Sequence, residues 1–315
     1  MTRRFGIALV ICCCAVWSLS TPVGSQDKFP SLKGPYLGQN PPGEVPELFA
    51  PGIISTEAGE LNAVFNEAGD VFLFSRMLDG KVKAFAMRME EGVWREPAML
   101  NFSRQHPEAD QVDMYFSPDE KSLYFISNLS VASFETGSVN IWRSDWNDGL
   151  DLNHQLLAAP VNSDGQEIYP VPVVSGNLYF SSSRGTDGQP RDFFRGHADD
   201  GHINRVERLG EPFNTGEDEG DVYMAPDESY AIITSSRLDD SQGRADLFIT
   251  FRTADGGWTD AVNLGPNINS DQHDYTPIVS PDGKFFFLTR SGDHPGDLYW
   301  VDAGFIEDMR TKLLR

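Results

Sequence analysis

Asp274-Tyr-Thr-Pro-Ile-Val-Ser-Pro-Asp-Gly-Lys-Phe-Phe-Phe-Leu-Thr-Arg290 reads as a strand, a tight turn and a second strand. Residues 275–279 are extended and rich in β-branched side chains. Ser280-Pro281-Asp282-Gly283 is a turn, because proline presets φ at its second position and glycine accepts the positive φ that closes it. Residues 285–289 form an apolar run of strand length. Asp297-Leu-Tyr-Trp-Val301 follows a short polar loop and reads as a third strand.

The unit recurs. Asp113-Met-Tyr-Phe-Ser-Pro-Asp-Glu-Lys-Ser-Leu-Tyr-Phe-Ile-Ser-Asn128 is one copy, and Asp221-Val-Tyr-Met-Ala-Pro-Asp-Glu-Ser-Tyr-Ala-Ile-Ile-Thr-Ser-Ser-Arg237 is another. Residues 167–184 give a third, turning at Ser175-Gly176-Asn177, and residues 60–76 a fourth, turning at Glu67-Ala-Gly-Asp70. Equivalent turn positions fall at Glu67, Pro118, Ser175, Pro226 and Pro281, a period of roughly fifty residues that marks a propeller or array. A fourth short segment follows the third strand, as in Trp258-Thr-Asp-Ala-Val-Asn-Leu264 and Val206-Glu-Arg-Leu209. Four antiparallel strands make one propeller blade. A blade alone leaves apolar faces in water, so the repeats must stack into a closed ring.

The repeated Ser-Pro-Asp-Gly turn, the Phe/Tyr-rich strand after it and the closing Ser-Arg resemble the WD40-like β-propeller repeats of TolB-type bacterial proteins. The resemblance covers residues 48–303. It implies the fold and, by implication, ligand sites on the face where the first strands enter the channel. It implies little about activity, because such propellers host unrelated functions.

The expected fold class is all-β: a β-propeller of five four-stranded blades, closed by an N-terminal strand, with a short C-terminal helix. The closing strand is Glu47-Leu-Phe-Ala50, which resembles Ala261-Val-Asn-Leu264; the last repeat runs out after its third strand at Val301. An N-terminal strand completing the last blade would remove the exposed edges. Six blades would need strands hidden in residues 26–46, a stretch holding Pro30, Pro35, Pro41, Pro42 and Pro46 and expected to be an extended arm. Residues 304–315 place Phe305, Ile306, Met309 and Leu313 at helical spacing, an amphipathic helix that packs on the ring.

Residues 1–25 read as a secretory signal: Arg3 and Arg4, an apolar run over residues 5–17 too short to span a bilayer, and small residues at Val23-Gly-Ser25, with Ser20 as a second cleavage candidate. All three cysteines, Cys12, Cys13 and Cys14, lie in this segment, and Ile11 stands where a lipobox needs a small residue. The rest of the chain therefore has no thiol chemistry and no disulfide. A periplasmic or secreted location follows as the expectation. The net charge is −22, and the leader carries only basic residues, so the remainder is more acidic still. Such a surface repels nucleic acid and anionic lipid. The expected partner is a protein or glycan at the propeller face, with no nucleic acid, no membrane span and a monomeric chain.

Two rings of charge suggest where chemistry could sit. Acids precede each first strand: Glu60, Asp110 with Asp113, Glu167, Asp218 with Glu219 and Asp221, and Asp274. Arg76, Asn128, Arg184, Arg237 and Arg290 end the second strands. Arginines in a pocket hold carboxylate or sulfate bidentately. Repetition in nearly every blade favours a structural use instead, each arginine pairing with an acid of its own or the next blade. The ligand-binding candidates are Glu219, Asp221, Arg237, His273, Asp274, Tyr275 and Arg290, from adjacent blades four and five. Departures from the repeat, Asn128 and the loop of residues 129–139 among them, are further candidates.

No cofactor is expected. The histidines His106, His154, His197, His202, His273 and His294 show no tight ligand spacing, and no Asp-x-Asp-x-Asp-Gly calcium loop occurs, although an acidic channel mouth could hold Ca²⁺ with backbone carbonyls. Thr253-Ala-Asp-Gly-Gly-Trp258 resembles the Asp-box turn of sialidase-like propellers, a structural device, and Met89-Glu-Glu-Gly-Val-Trp94 stands in the equivalent place. A Gly-x-Ser-x-Gly elbow and a phosphate-binding glycine loop are both missing. The sequence thus favours a binding or scaffold module. Its rival is a carbohydrate-active enzyme, a lyase or glycosidase, with paired carboxylates or His273 and Tyr275 moving protons at the channel mouth.

Overall fold

The computed structural model describes residues 29–132, 137–147, 149–186, 190–236 and 241–315. The leader expected over residues 1–25 and Arg237 lie outside them. From Ser31 onward the chain forms one unit, a propeller of five antiparallel sheets.

The blades follow in chain order. Blade one is Glu60–Phe65, Val71–Leu78 and Lys81–Glu90, with Val93–Trp94 and Ala98–Met99 both pairing the third strand. Blade two is Val112–Phe116, Ser122–Ser127, Asn140–Asn147 and Leu150–Leu156; blade three is Glu167–Pro172, Leu178–Ser182, Asp192–Asp199 and His202–Arg208. Blade four is Glu219–Met224, Tyr230–Ser235, Asp246–Phe251 and Val262–Asn263. Blade five is His273–Val279, Phe285–Ser291 and Asp297–Asp302, and its fourth strand is Glu47–Leu48 from the other end of the chain.

The turn chemistry explains the local structure. In the Ser280 turn the Gly283 N–H donates to the Ser280 carbonyl at 2.8 Å, Asp282 accepts from the Ser280 hydroxyl, and that hydroxyl accepts from the Phe285 N–H. Gly283 sits at φ 70°, where a side chain would crowd the backbone. Blades two and four place glutamate at this position, Glu120 at φ 53° and Glu228 at φ 58°. Each reaches the preceding blade: Glu120 accepts from the Glu67 N–H, and Glu228 accepts from Tyr179 and Asn177.

Aromatic side chains seal the junction where the ring closes. Phe49, fully buried, meets Phe65 and Phe72 of blade one and Phe287 and Trp300 of blade five, with ring centroids 5.1–6.2 Å apart. The arm adds a second clasp. Leu32–Lys33 pairs with Val93–Trp94 of blade one, while Tyr36 packs on Phe285 of blade five and its hydroxyl donates to Asp282 at 2.6 Å. The arm is therefore tied to both sides of the closure. The C-terminal helix, Gly304–Leu313, buries Ile306 and packs Phe305, Met309 and Leu313 on the core of blades four and five.

Candidate functional site

The charge rings resolve into two layers. The outer one fixes loops. Glu60 and Arg76 are paired at 2.6 Å, Glu167 and Arg184 at 3.3 Å, and Asp274 and Arg290 at 2.6 Å, each pair within one blade and each carboxylate fully buried. The arginines also donate to loop carbonyls, Arg76 to Ile53 and Ile54, Arg184 to Pro160 and Val161, and Arg290 to Ile268. On their other side the acids accept from a Ser or Thr four residues earlier, through N–H and hydroxyl together: Thr56 to Glu60, Ser163 to Glu167, Thr215 to Glu219 and Ser270 to Asp274. In three of these loops the preceding asparagine, Asn162, Asn214 or Asn269, bonds both backbone groups of one third-strand residue. Glu219, Asp274 and Arg290 thus belong to a repeated framework.

Blade two departs from it. Asn128 stands in the arginine's place and pairs with Asp110 through both amide atoms. Lys83, reaching over from blade one and only 5% exposed, donates to the carbonyls of His106, Pro107 and Ala109. One buried ammonium replaces one guanidinium, from the opposite side of the loop.

The inner layer lies two residues past the acid in four blades and three past Asp110 in blade two, where every first strand bulges. These positions hold Asn62, Asp113, Tyr169, Asp221 and Thr276. Four of them have positive φ, between 50° and 61°, a costly conformation held by neighbouring blades. Asn62 accepts from the Met114 N–H at 2.8 Å, Asp113 from the Tyr169 N–H at 3.2 Å, and Asp221 from the Thr276 N–H at 2.9 Å. Tyr169 crosses to blade five and donates to the Pro277 carbonyl at 2.9 Å.

A cavity of about 290 Å³ opens beside this layer, lined by Asp113, Asp221, Arg191, Thr234, His273 and Tyr275 among others from all five blades. The structure therefore brings Asp221, His273 and Tyr275 of the candidates together and adds Asp113, Arg191 and Thr234. Asp113 stood in the acid ring; Arg191 carries no repeat signal, and Thr234 takes the second-strand place held by Ser75, Ser181 and Thr289 in blades one, three and five. Only an alignment of the five units on their first-strand bulges would have exposed the axial column.

The electrostatics are uneven. Burial pushes the Asp113 carboxyl well up, and the Asp221 charge adds to this against the Tyr169 N–H and Arg191. Burial pushes Asp221 to about 6, against the Thr276 N–H and Arg191. Two buried carboxyls in one cavity cannot both ionise freely. Arg191 is held bidentately by Asp218, at 2.7 and 3.2 Å. Burial resists ionisation of Asp218, but the Arg191 hydrogen bonds outweigh it and its pKa falls. His273 stacks on Tyr275 with centroids 4.5 Å apart, and burial lowers its pKa. Burial raises the Tyr275 hydroxyl to about 12. Among the described residues no group of three or more His, Cys, Asp or Glu could hold a metal ion.

A larger cavity, about 510 Å³, lies on the face of the Ser-Pro-Asp-Gly turns, lined by Phe65, Tyr115, Pro172, Tyr223, Ile278 and Arg310 among others. It is mainly apolar, and the axial carboxyls do not line it.

No family model matches the chain, and no curated protein matches it. Among solved structures it is similar in fold to TolB from Acinetobacter baumannii, at 16% identity and TM-score 0.48, over 79% of this chain and 55% of that one. It is similar to the catalytic domain of Coprinopsis cinerea GH62 alpha-L-arabinofuranosidase, at 9% identity and TM-score 0.48, over 86% and 96% of the two chains. A thermostable family-43 glycoside hydrolase is similar at 11% identity and TM-score 0.49, over 79% and 90%. The chain spans about half the length of the TolB chain. Among the described residues no helix is long and apolar enough to cross a membrane.

Proposed function

We propose that the protein is a secreted or periplasmic binding module that holds a protein or glycan partner at the axial mouth. One observation carries this reading: polar side chains from four blades line one small cavity, whereas Arg76, Arg184 and Arg290 are spent on their own blades. A concave site with a few convergent polar groups is the usual form of a ligand pocket. The test is a thermal-shift screen of the purified protein against glycans and peptides. A ligand at a hundredfold excess over its dissociation constant stabilises the folded state by about 2.7 kcal/mol. A shift lost in Asp221→Asn supports the reading; no shift with any ligand, or shifts indifferent to Asp221, sinks it.

A second reading, a carbohydrate-active enzyme, is favoured by Asp113 and Asp221 lining one cavity with burial raising both carboxyls, since a carboxyl held protonated suits a general acid at a glycosidic bond. Release of nitrophenol from aryl glycosides, abolished by Asp113→Asn and by Asp221→Asn, is its expected signature; no turnover across a panel would remove it.

A further inference from the structure

We propose that the group held at the mouth is a neutral, hydroxyl-rich ring, a single sugar unit of a glycan. The inference rests on the binding-module reading and names its ligand class. It comes first from unspent hydrogen-bonding capacity. Asp113 and Asp221 each commit one oxygen, Oδ2, to a backbone N–H of the next blade. Among the described residues the Oδ1 of each makes no hydrogen bond. Thr234 lines the same cavity, is 2% exposed, and its Oγ1 has no partner. A buried hydroxyl left unpaired costs about 1–3 kcal/mol in other proteins, so a partner supplied from outside the chain would relieve it. The set is two carboxyl oxygens and one hydroxyl. It accepts more than it donates, which suits a ligand carrying several O–H donors on neighbouring atoms.

Charge narrows the class. An anion entering the cavity would face the Asp113 and Asp221 carboxyls. Arg191 lines the same space but is matched by Asp218, so it is not waiting for a carboxylate or sulfate. A neutral ligand escapes the repulsion that an anion meets, and cationic probes are set against it in the test. Burial favours the protonated form of both carboxyls, and a protonated carboxyl gives the site a donor as well as acceptors, which a polyol can use. His273 and Tyr275, stacked on each other, add ring surface for the C–H face of a sugar.

Size narrows it further. The cavity, about 290 Å³, is some ten water volumes at roughly 30 Å³ each. That admits one ring with its hydroxyls, with any further units of a chain outside the mouth. A peptide is a poorer fit: its backbone alternates donors and acceptors and is usually read by a sheet edge or by backbone groups, while the unspent groups here all belong to side chains.

The test is isothermal titration of the whole protein with methyl glycosides of neutral hexoses and pentoses, beside a methyl uronoside, a methyl glucosaminide and a lysine-rich peptide. Thr234→Val deletes the hydroxyl at constant shape, and Asp221→Asn keeps an acceptor for the Thr276 N–H; circular dichroism checks that both fold. At least one neutral glycoside is expected to bind, weakened tenfold or more by each variant. If only the uronoside, the glucosaminide or the peptide binds, in a manner dependent on Asp221, the sugar assignment is overturned while the binding module stands. Neutral glycoside binding that neither variant alters overturns the assignment of the mouth. If none of the probes binds, the assignment falls; if the broader screen is also flat, the binding reading falls with it.

Discussion

Arg290→Met is the sharpest probe of how charge is used in this propeller. The guanidinium donates to Asp274 at 2.6 Å and to the Ile268 carbonyl at 2.7 Å, and it lies 4.8 Å from the Tyr299 ring. Hydrogen bonds to charged groups contribute about 1.5–3 kcal/mol each, and an exposed cation–π contact about 0.5–1 kcal/mol. Asp274 is fully buried, so removing its partner strands a carboxylate, for which losses of about 3–5 kcal/mol are typical. Against a total stability of about 5–15 kcal/mol, that is a large fraction. Urea unfolding would measure it as a lower midpoint at unchanged slope. Because both side chains share one network, the cycle with Asp274→Asn should show a coupling of about 0.5–3 kcal/mol. A loss under about 1 kcal/mol, together with loss of ligand binding, would refute the framework assignment and return Arg290 to the ligand-binding candidates.

Other substitutions test other layers. Phe49→Ala empties the aromatic junction between blades one and five and should cost about 3–5 kcal/mol in urea unfolding; a loss below 1.5 kcal/mol would mean that the N-terminal strand does not close the ring. Lys83→Met removes the donor shared by three loop carbonyls and should cost about 2–4 kcal/mol, whereas an exposed lysine would cost almost nothing. Asp221, raised by burial from 3.8 to about 6, keeps a proton in the folded state that the unfolded chain has already lost. Its effect on stability is therefore absent below pH 4 and grows more unfavourable as pH rises to about 6, reaching about 3 kcal/mol. Melting temperatures from pH 4 to 7 should fall less steeply in Asp221→Asn than in the wild type; equal slopes would mean that the carboxyl is solvated.

The sequence by itself determined the blade. A strand, a tight turn such as Ser280-Pro-Asp-Gly283 and a second strand are encoded within some seventeen residues by local preferences, and five such units required a ring. Even the closing strand was legible at Glu47, because the last repeat lacked its fourth strand and the N-terminus offered one. A structural use of the arginines was legible from their repetition, but whether each pairs within its own blade or with the next was not. Only the tertiary structure decided the mouth. Asp113, Arg191, Asp221, Thr234 and His273 come from four different blades, and no local rule relates them. The axial column varies chemically from blade to blade, as Asn62, Asp113, Tyr169, Asp221 and Thr276, so it leaves no repeat to read. Its members meet only when the ring closes, and closure also supplies the burial that pushes the two carboxyls up. Burial and long-range proximity are properties of the closed ring, and neither is written in any one repeat.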